Sequence, residues 1–345
     1  MKRALSAFLC CLGLTAQPAP ADGVIQIPVS VKIMADPDTG EGPPGVTSFL
    51  IANTIDDVNA RMTEYSRGYR LVLVDPVTLV GAQFEAERPN PGYYYLQSIT
   101  GLSRLEMESD AIANPELWAW NSGAINIYIK GSGSIRGLLC RHPESQILVI
   151  DDFHAGSDSA YVHMLGHFFG LCNTHGCGCN CDECDDPESD GIADTLPDRP
   201  SWNRENLAFL NFGTDYAHLT PAQQALVDNT LNNMMSYRIG GLTCNLTSAF
   251  TDYLTEGQLD RWADVASTTR LSACDGRTFF VQTGTGGFHT GRSSDPFRRI
   301  DEGVAAATGG GDILLIRGGT YAETPIISSP VTLRAPRGQV VRIGG

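Results

Sequence analysis

His163-Met-Leu-Gly-His167-Phe-Phe-Gly170 constrains this chain more than any other stretch. Two histidines four residues apart share one face of a helix, so their imidazoles can converge on one point. A glycine three residues later can end that helix and turn the chain back. Ser157-Asp-Ser159 supplies the start signal, which predicts a helix over Ala160 to Phe169.

Hydrophobic spacing places this helix within a larger α/β pattern. Val24 to Met34 alternates as a first strand. Thr47 to Tyr65 follows as a helix, with Phe49, Ala52, Ile55, Val58 and Met62 at helical spacing. Arg70 to Val74, Ala124 to Ile129 and Gln146 to Ile150 are short strands rich in branched residues. The expected domain is a twisted sheet above a cleft, with the histidine helix beside it. Helical signals return at Pro221 to Leu231 and Thr255 to Ala266, and a boundary falls near Cys274-Asp-Gly276. Beyond it, Gly-rich turns separate Ile313 to Ile316, Val331 to Leu333 and Val340 to Ile343, with a helix at Ile300 to Ala307. This tail resembles the opening of a right-handed parallel β-helix. One or two coils fit, fewer than the three that repeat folds generally need, so the segment is either a fragment or docks on the first domain. The expected organisation is residues 1–21, 22–272 and 275–345.

Three ordered stretches carry a family resemblance: His163 to Leu171, Asp190-Gly-Ile-Ala-Asp194-Thr195, and Asn233-Met-Met235-Ser-Tyr237 followed by Leu254-Thr-Glu-Gly-Gln258. Together, over roughly residues 24–265, they resemble the pappalysin-type metzincins. These zinc peptidases carry H-E-x-x-H-x-x-G-x-x-H and a later methionine turn. The resemblance implies zinc on His163 and His167, Met235 beneath the metal, Tyr237 near it, and a peptide or protein ligand. It also implies a calcium-binding role for the segment holding Asp190, Asp194 and Thr195, where acidic side chains alternate before a glycine. The alternative is a solvated acidic loop.

Two positions depart from the pattern. Met164 stands where the family's general-base Glu would be, and a thioether accepts no proton at relevant pH. General-base catalysis contributes roughly 10²–10⁴-fold, so its loss costs about 3–5 kcal/mol of barrier. Asn173 stands at the third-ligand position, with His175 two residues on. His175 is either brought to the metal by a small loop shift or is an exposed loop histidine. The expectation is a zinc metalloendopeptidase by descent with activity low or lost. The alternative is a pseudoprotease that serves as a secreted binding or structural domain. A polysaccharide-active enzyme is a weaker third reading, since the tail shows no pair of catalytic carboxylates.

The N-terminus reads as a secretory signal peptide: Lys2 and Arg3, an apolar run from Leu5 to Thr15, and Ala19-Pro-Ala21 as the cleavage site. It predicts a secreted, extracellular or periplasmic protein. The run is too short for a membrane span. Asp22 to Val24 leads almost directly into the first strand, so a latency segment is not expected. The chain's formal net charge of −15 argues against nucleic acid as a partner. The tail fits contact with a surface or polysaccharide. Cys140, Cys172, Cys177, Cys179, Cys181, Cys184, Cys244 and Cys274 follow the signal sequence. In a secreted protein disulfides are expected, with a structural metal on Cys177 to Cys184 as the rival. Asn245-Leu-Thr247 fits a glycosylation sequon.

Overall fold

The computed structural model describes residues 23–81, 90–95, 101–131, 146–175, 190–199, 202–236, 253–284 and 289–344. The cleavage site, Cys177 to Cys184, Tyr237 and the sequon lie outside them.

Strand β1 (Ile25–Met34) organises the first domain. Its alternate residues Ile25, Ile27, Val29 and Val31 are buried on one face. Each such side chain contributes about 1.5–3 kcal/mol when fully buried. β1 pairs in parallel with β2 (Tyr69–Leu73), β3 (Thr78–Val80) and β4 (Ile125–Lys130). β4 pairs in parallel with β5 (Ile147–Asp151), with Ile127 opposite Leu148. Parallel neighbours need crossovers, and α1 (Ser48–Glu64) makes the first one. The Thr47 side chain accepts from Leu50 N at its start, and Ile51, Ile55, Val58 and Met62 form its buried stripe.

The two faces of the sheet carry separate cores. One packs against α1 and the histidine helix α5 (Asp158–Phe168). On the other, Met34, Tyr128, Ile147 and Val149 meet Tyr94, Tyr95, Met107 and Trp118. These last come from α2 (Pro91–Tyr95), α3 (Gly101–Ala113) and α4 (Pro115–Trp118), which spacing did not assign. A helical pair follows, α6 (Arg204–Phe212) and α7 (Pro221–Leu231), joined by its own small core of Leu207, Ala208, Leu219 and Val227. Helix α8 (Glu256–Ala266) returns to the main core through Leu259, Trp262 and Ala263.

The C-terminal segment is built of parallel ladders. β6 (Thr278–Val281), β7 (Ile313–Ile316) and β9 (Thr332–Arg334) stack in that order, and β8 (Gly319–Tyr321) pairs with β10 (Val341–Ile343). Helix α9 (Ile300–Ala306) covers Val281 and Leu314 with Ile300 and Val304. The segment docks on the first domain. Phe280, Ile313 and Leu315 belong to the same core cluster as β1, and Tyr69 Oη lies 2.8 Å from Thr278 Oγ1. No helix among the described residues is long and apolar enough to cross a membrane.

Candidate metal centre

Helix α5 begins where its sequence says it should. The Ser157 hydroxyl accepts from Ala160 N at 3.3 Å, and Asp158 in the first turn is ion-paired to Arg61. It ends because Gly170 adopts φ +81°, which lets Leu171 N reach back to Gly166 O at 2.9 Å. Between these ends His163 and His167 fall on one side, ring centroids 4.6 Å apart and nearly perpendicular.

Hydrogen bonds define both tautomers. His163 Nδ1 lies 2.9 Å from Met234 O, and His167 Nδ1 lies 2.9 Å from Leu171 O. A carbonyl oxygen only accepts, so both Nδ1 atoms carry hydrogen. In the neutral rings both Nε2 atoms then present lone pairs, and these face each other at 3.1 Å. A shared proton is one way to reconcile two lone pairs. Placing it on His163 is disfavoured, because burial and then the neighbouring His167 push the His163 pKa down to about 3, with His175 and His154 acting the same way. A cation is the other way. Zinc binds imidazole at about 2.0–2.1 Å, which places two tetrahedral ligands about 3.3 Å apart. Ligating histidines characteristically donate their second N–H to a carbonyl or carboxylate, and both rings do so here.

The Met234–Met235 turn supplies the floor. Thr174 N donates to Met235 O at 3.0 Å, and Met234 N to Tyr253 O at 2.9 Å. Met235 is fully buried against the helix at Gly166. A Cβ at Gly166 would stand 2.7 Å from Met235 Sδ, so the sulfur occupies the place a side chain would take.

At the third-ligand position Asn173 is 9% exposed, and its buried Oδ1 has no hydrogen-bond partner among the described residues. His175 is 2% exposed, which corrects the exposed-loop alternative. Thr174 tethers this segment to Met235 and, through its hydroxyl, to Asp198 at 3.2 Å. Among the described residues no three His, Cys, Asp or Glu groups are gathered closely enough to hold a metal. Met164 is fully buried in the main core. Cys172 is disulfide-bonded, and Cys274 is a free thiol whose pKa burial raises.

The acidic segment has its own hydrogen bonds. Asp194 accepts from Thr255 Oγ1 at 2.7 Å and from Gly257 N at 2.9 Å, at the start of α8. Asp190 accepts from Ile192 N at 2.9 Å and from the Thr195 hydroxyl at 2.6 Å. Burial raises the Asp190 pKa.

Sequence reading missed one histidine. His154 follows β5 and is buried, with Nδ1 2.6 Å from Asp151 Oδ1 and a buried Nε2 that has no partner among the described residues. The Asp-x-x-His spacing was its only signal. It also missed Asn233 and Gln258 as a buried amide pair, bonded at 2.9 and 3.1 Å.

No protein-family model matches the chain. Comparison with curated proteins found no match either.

Proposed function

We propose that this chain is a secreted zinc-binding protein of the metallopeptidase type, similar to pappalysin-type metzincins, whose capacity to cut peptide bonds is low or lost. The observation that carries this reading is the pair of Nε2 lone pairs facing each other at 3.1 Å, with both Nδ1 atoms committed to carbonyls. His163 and His167 would hold the metal, and the orphaned Oδ1 of Asn173 is an oxygen donor at the family's third position. A zinc ion there polarises water and a substrate carbonyl. Met164 takes no proton, and its burial in the core offers no polar group in place of a base.

The second reading, a pseudoprotease that binds a peptide or protein ligand without cutting it, is favoured by that same inert Met164. The stacked parallel ladders are read as the first coils of a parallel β-helix, suited to contact with a surface or polysaccharide. Calcium at Asp190, Asp194 and Thr195 belongs to the same family reading.

The test is zinc stoichiometry of the purified chain, with a peptide panel assayed with and without chelator. About one zinc per chain with little turnover is expected. Absence of zinc under metal-replete conditions overturns the metal reading, and vigorous chelator-sensitive turnover overturns the impaired one. Met164→Glu together with Asn173→His should raise turnover by roughly 10²–10⁴-fold, the worth of a general base.

A further inference from the structure

The Met234 carbonyl that fixes the His163 tautomer is itself fixed from 24 residues away in sequence. Gln258, in the first turn of α8, is fully buried. Its Oε1 accepts from Thr255 N at 3.1 Å. A backbone N–H only donates, so this contact settles which end of the amide is oxygen. Nε2 therefore faces Asn233 Oδ1 at 3.1 Å and Asp190 Oδ2 at 3.3 Å. Asn233 is oriented by the same logic. Its Oδ1 accepts from Met235 N at 2.8 Å, which leaves its Nδ2 to donate to Gln258 Oε1 at 2.9 Å. The two amides thus lock face to face, and one of them grips the turn by its backbone. Within that turn Met234 O accepts a hydrogen bond from His163 Nδ1–H at 2.9 Å.

We propose that Gln258 is a positioning residue for His163: through Asn233 it holds the Met234 carbonyl that selects the Nδ1–H tautomer and leaves Nε2 to a cation. This rests on the metal reading above and extends it to a residue that touches neither metal nor substrate. His167 lies outside the device, because its Nδ1 is held by Leu171 O, part of its own helix end. That difference gives an internal control. Loss of Gln258 should disturb one histidine and spare the other.

The experiment uses the full chain, ¹⁵N-labelled and stripped of metal, with imidazole tautomers read from long-range ¹H–¹⁵N correlations. Zinc affinity is measured separately by competition with a chromophoric chelator. In the parent protein both histidines are expected as single Nδ1–H tautomers. In Gln258→Met, His163 should become a mixture while His167 stays single, and zinc affinity should fall about 10–100-fold, the usual cost of losing an outer-shell partner. Leu259→Ala removes a buried apolar side chain from the same helix without touching the amides. It should leave the His163 tautomer unchanged. An unaltered His163 in Gln258→Met overturns the proposal, as does an equal disturbance in Leu259→Ala. Should Gln258→Met not fold, Asn233→Asp carries the test, since it keeps the oxygen for Met235 N and loses the donor to Gln258. Failure of the parent protein to take up zinc overturns the metal reading alone, because the tautomer spectra are recorded without metal.

Discussion

Two buried polar clusters in the first domain answer the same problem in opposite ways. On β1 and β4 the Lys32 ammonium is 1% exposed, yet all its hydrogens have acceptors. Nζ reaches Ser30 Oγ at 2.7 Å, Asn126 Oδ1 at 2.5 Å and Ser30 O at 3.3 Å. The Ser30 hydroxyl donates in turn to Asp75, and Asn121 and Asn126 close the circuit by donating to Asp75 and to Asn121 O. On α5 the histidine pair is also buried, but there two acceptors confront each other. A buried network with every partner present rigidifies a core. In the histidine pair each Nδ1 has a carbonyl acceptor and the two Nε2 atoms face each other at 3.1 Å. Burial alone therefore does not separate the two clusters; the match of donors to acceptors does.

Acid titration breaks this comparison most sharply. In metal-free protein the His163 pKa of about 3 lies below its ordinary 6.5. Between those values the unfolded chain binds a proton that the folded chain refuses, so stability falls as pH drops from 6.5 toward 3. The expected loss is about 4–5 kcal/mol at full displacement. Urea unfolding at stepped pH measures it, and His163→Gln should remove most of the slope. Lys32 gives the next largest effect, in the opposite range. Burial brings its pKa to about 8 from 10.5, against the pull of Asp75. The unfolded chain keeps a proton that the folded chain releases between pH 8 and 10.5. Stability should therefore rise with pH through that window by roughly 3–4 kcal/mol, and Lys32→Met should flatten the rise.

What the sequence disclosed follows from the range of the forces involved. Pro221 to Leu231 was legible to the residue, because Thr220 caps it, Gln223 completes the box and Pro221 takes the first helical position. Ile313 to Ile316 was legible as an apolar run between glycines. Helix α3 was not: Glu, Ser and Asp crowd its sequence, and Met107 and Ala111 are its only buried positions among those described. Strand β6 was missed because its four residues gain meaning only beside β7, 35 positions away. In the site, the spacing of His163 and His167 is written in one helix. The bond to Met234 O and the bonds between Gln258 and Asn233 are tertiary, and no local pattern encodes them.

Gly166 sharpens the comparison at the floor of the histidine pair. Ala there would place its Cβ 2.7 Å from Met235 Sδ and 3.4 Å from Leu171 Cδ1. Overpacking costs about 1–3 kcal/mol, and the better helix propensity of Ala returns up to about 1 kcal/mol. A net loss of roughly 1–2 kcal/mol is expected in urea unfolding, with weaker zinc uptake because Met235 must shift. An equally large substitution on the Lys32 side of the sheet should leave zinc uptake unchanged.

The smallest effect decides on which side of the comparison the acidic segment belongs. Both oxygens of Asp194 accept donors at the start of α8, where a negative charge also meets the positive end of the helix dipole. Asp194→Asn should cost about 0.3–1 kcal/mol, equally with and without calcium, because the group is satisfied by protein donors as Asp75 is. Thermal melts in chelator and in millimolar calcium read this directly. A calcium-dependent rise in Tm that Asp194→Asn abolishes would instead make the segment a set of calcium ligands, as the family resemblance implies.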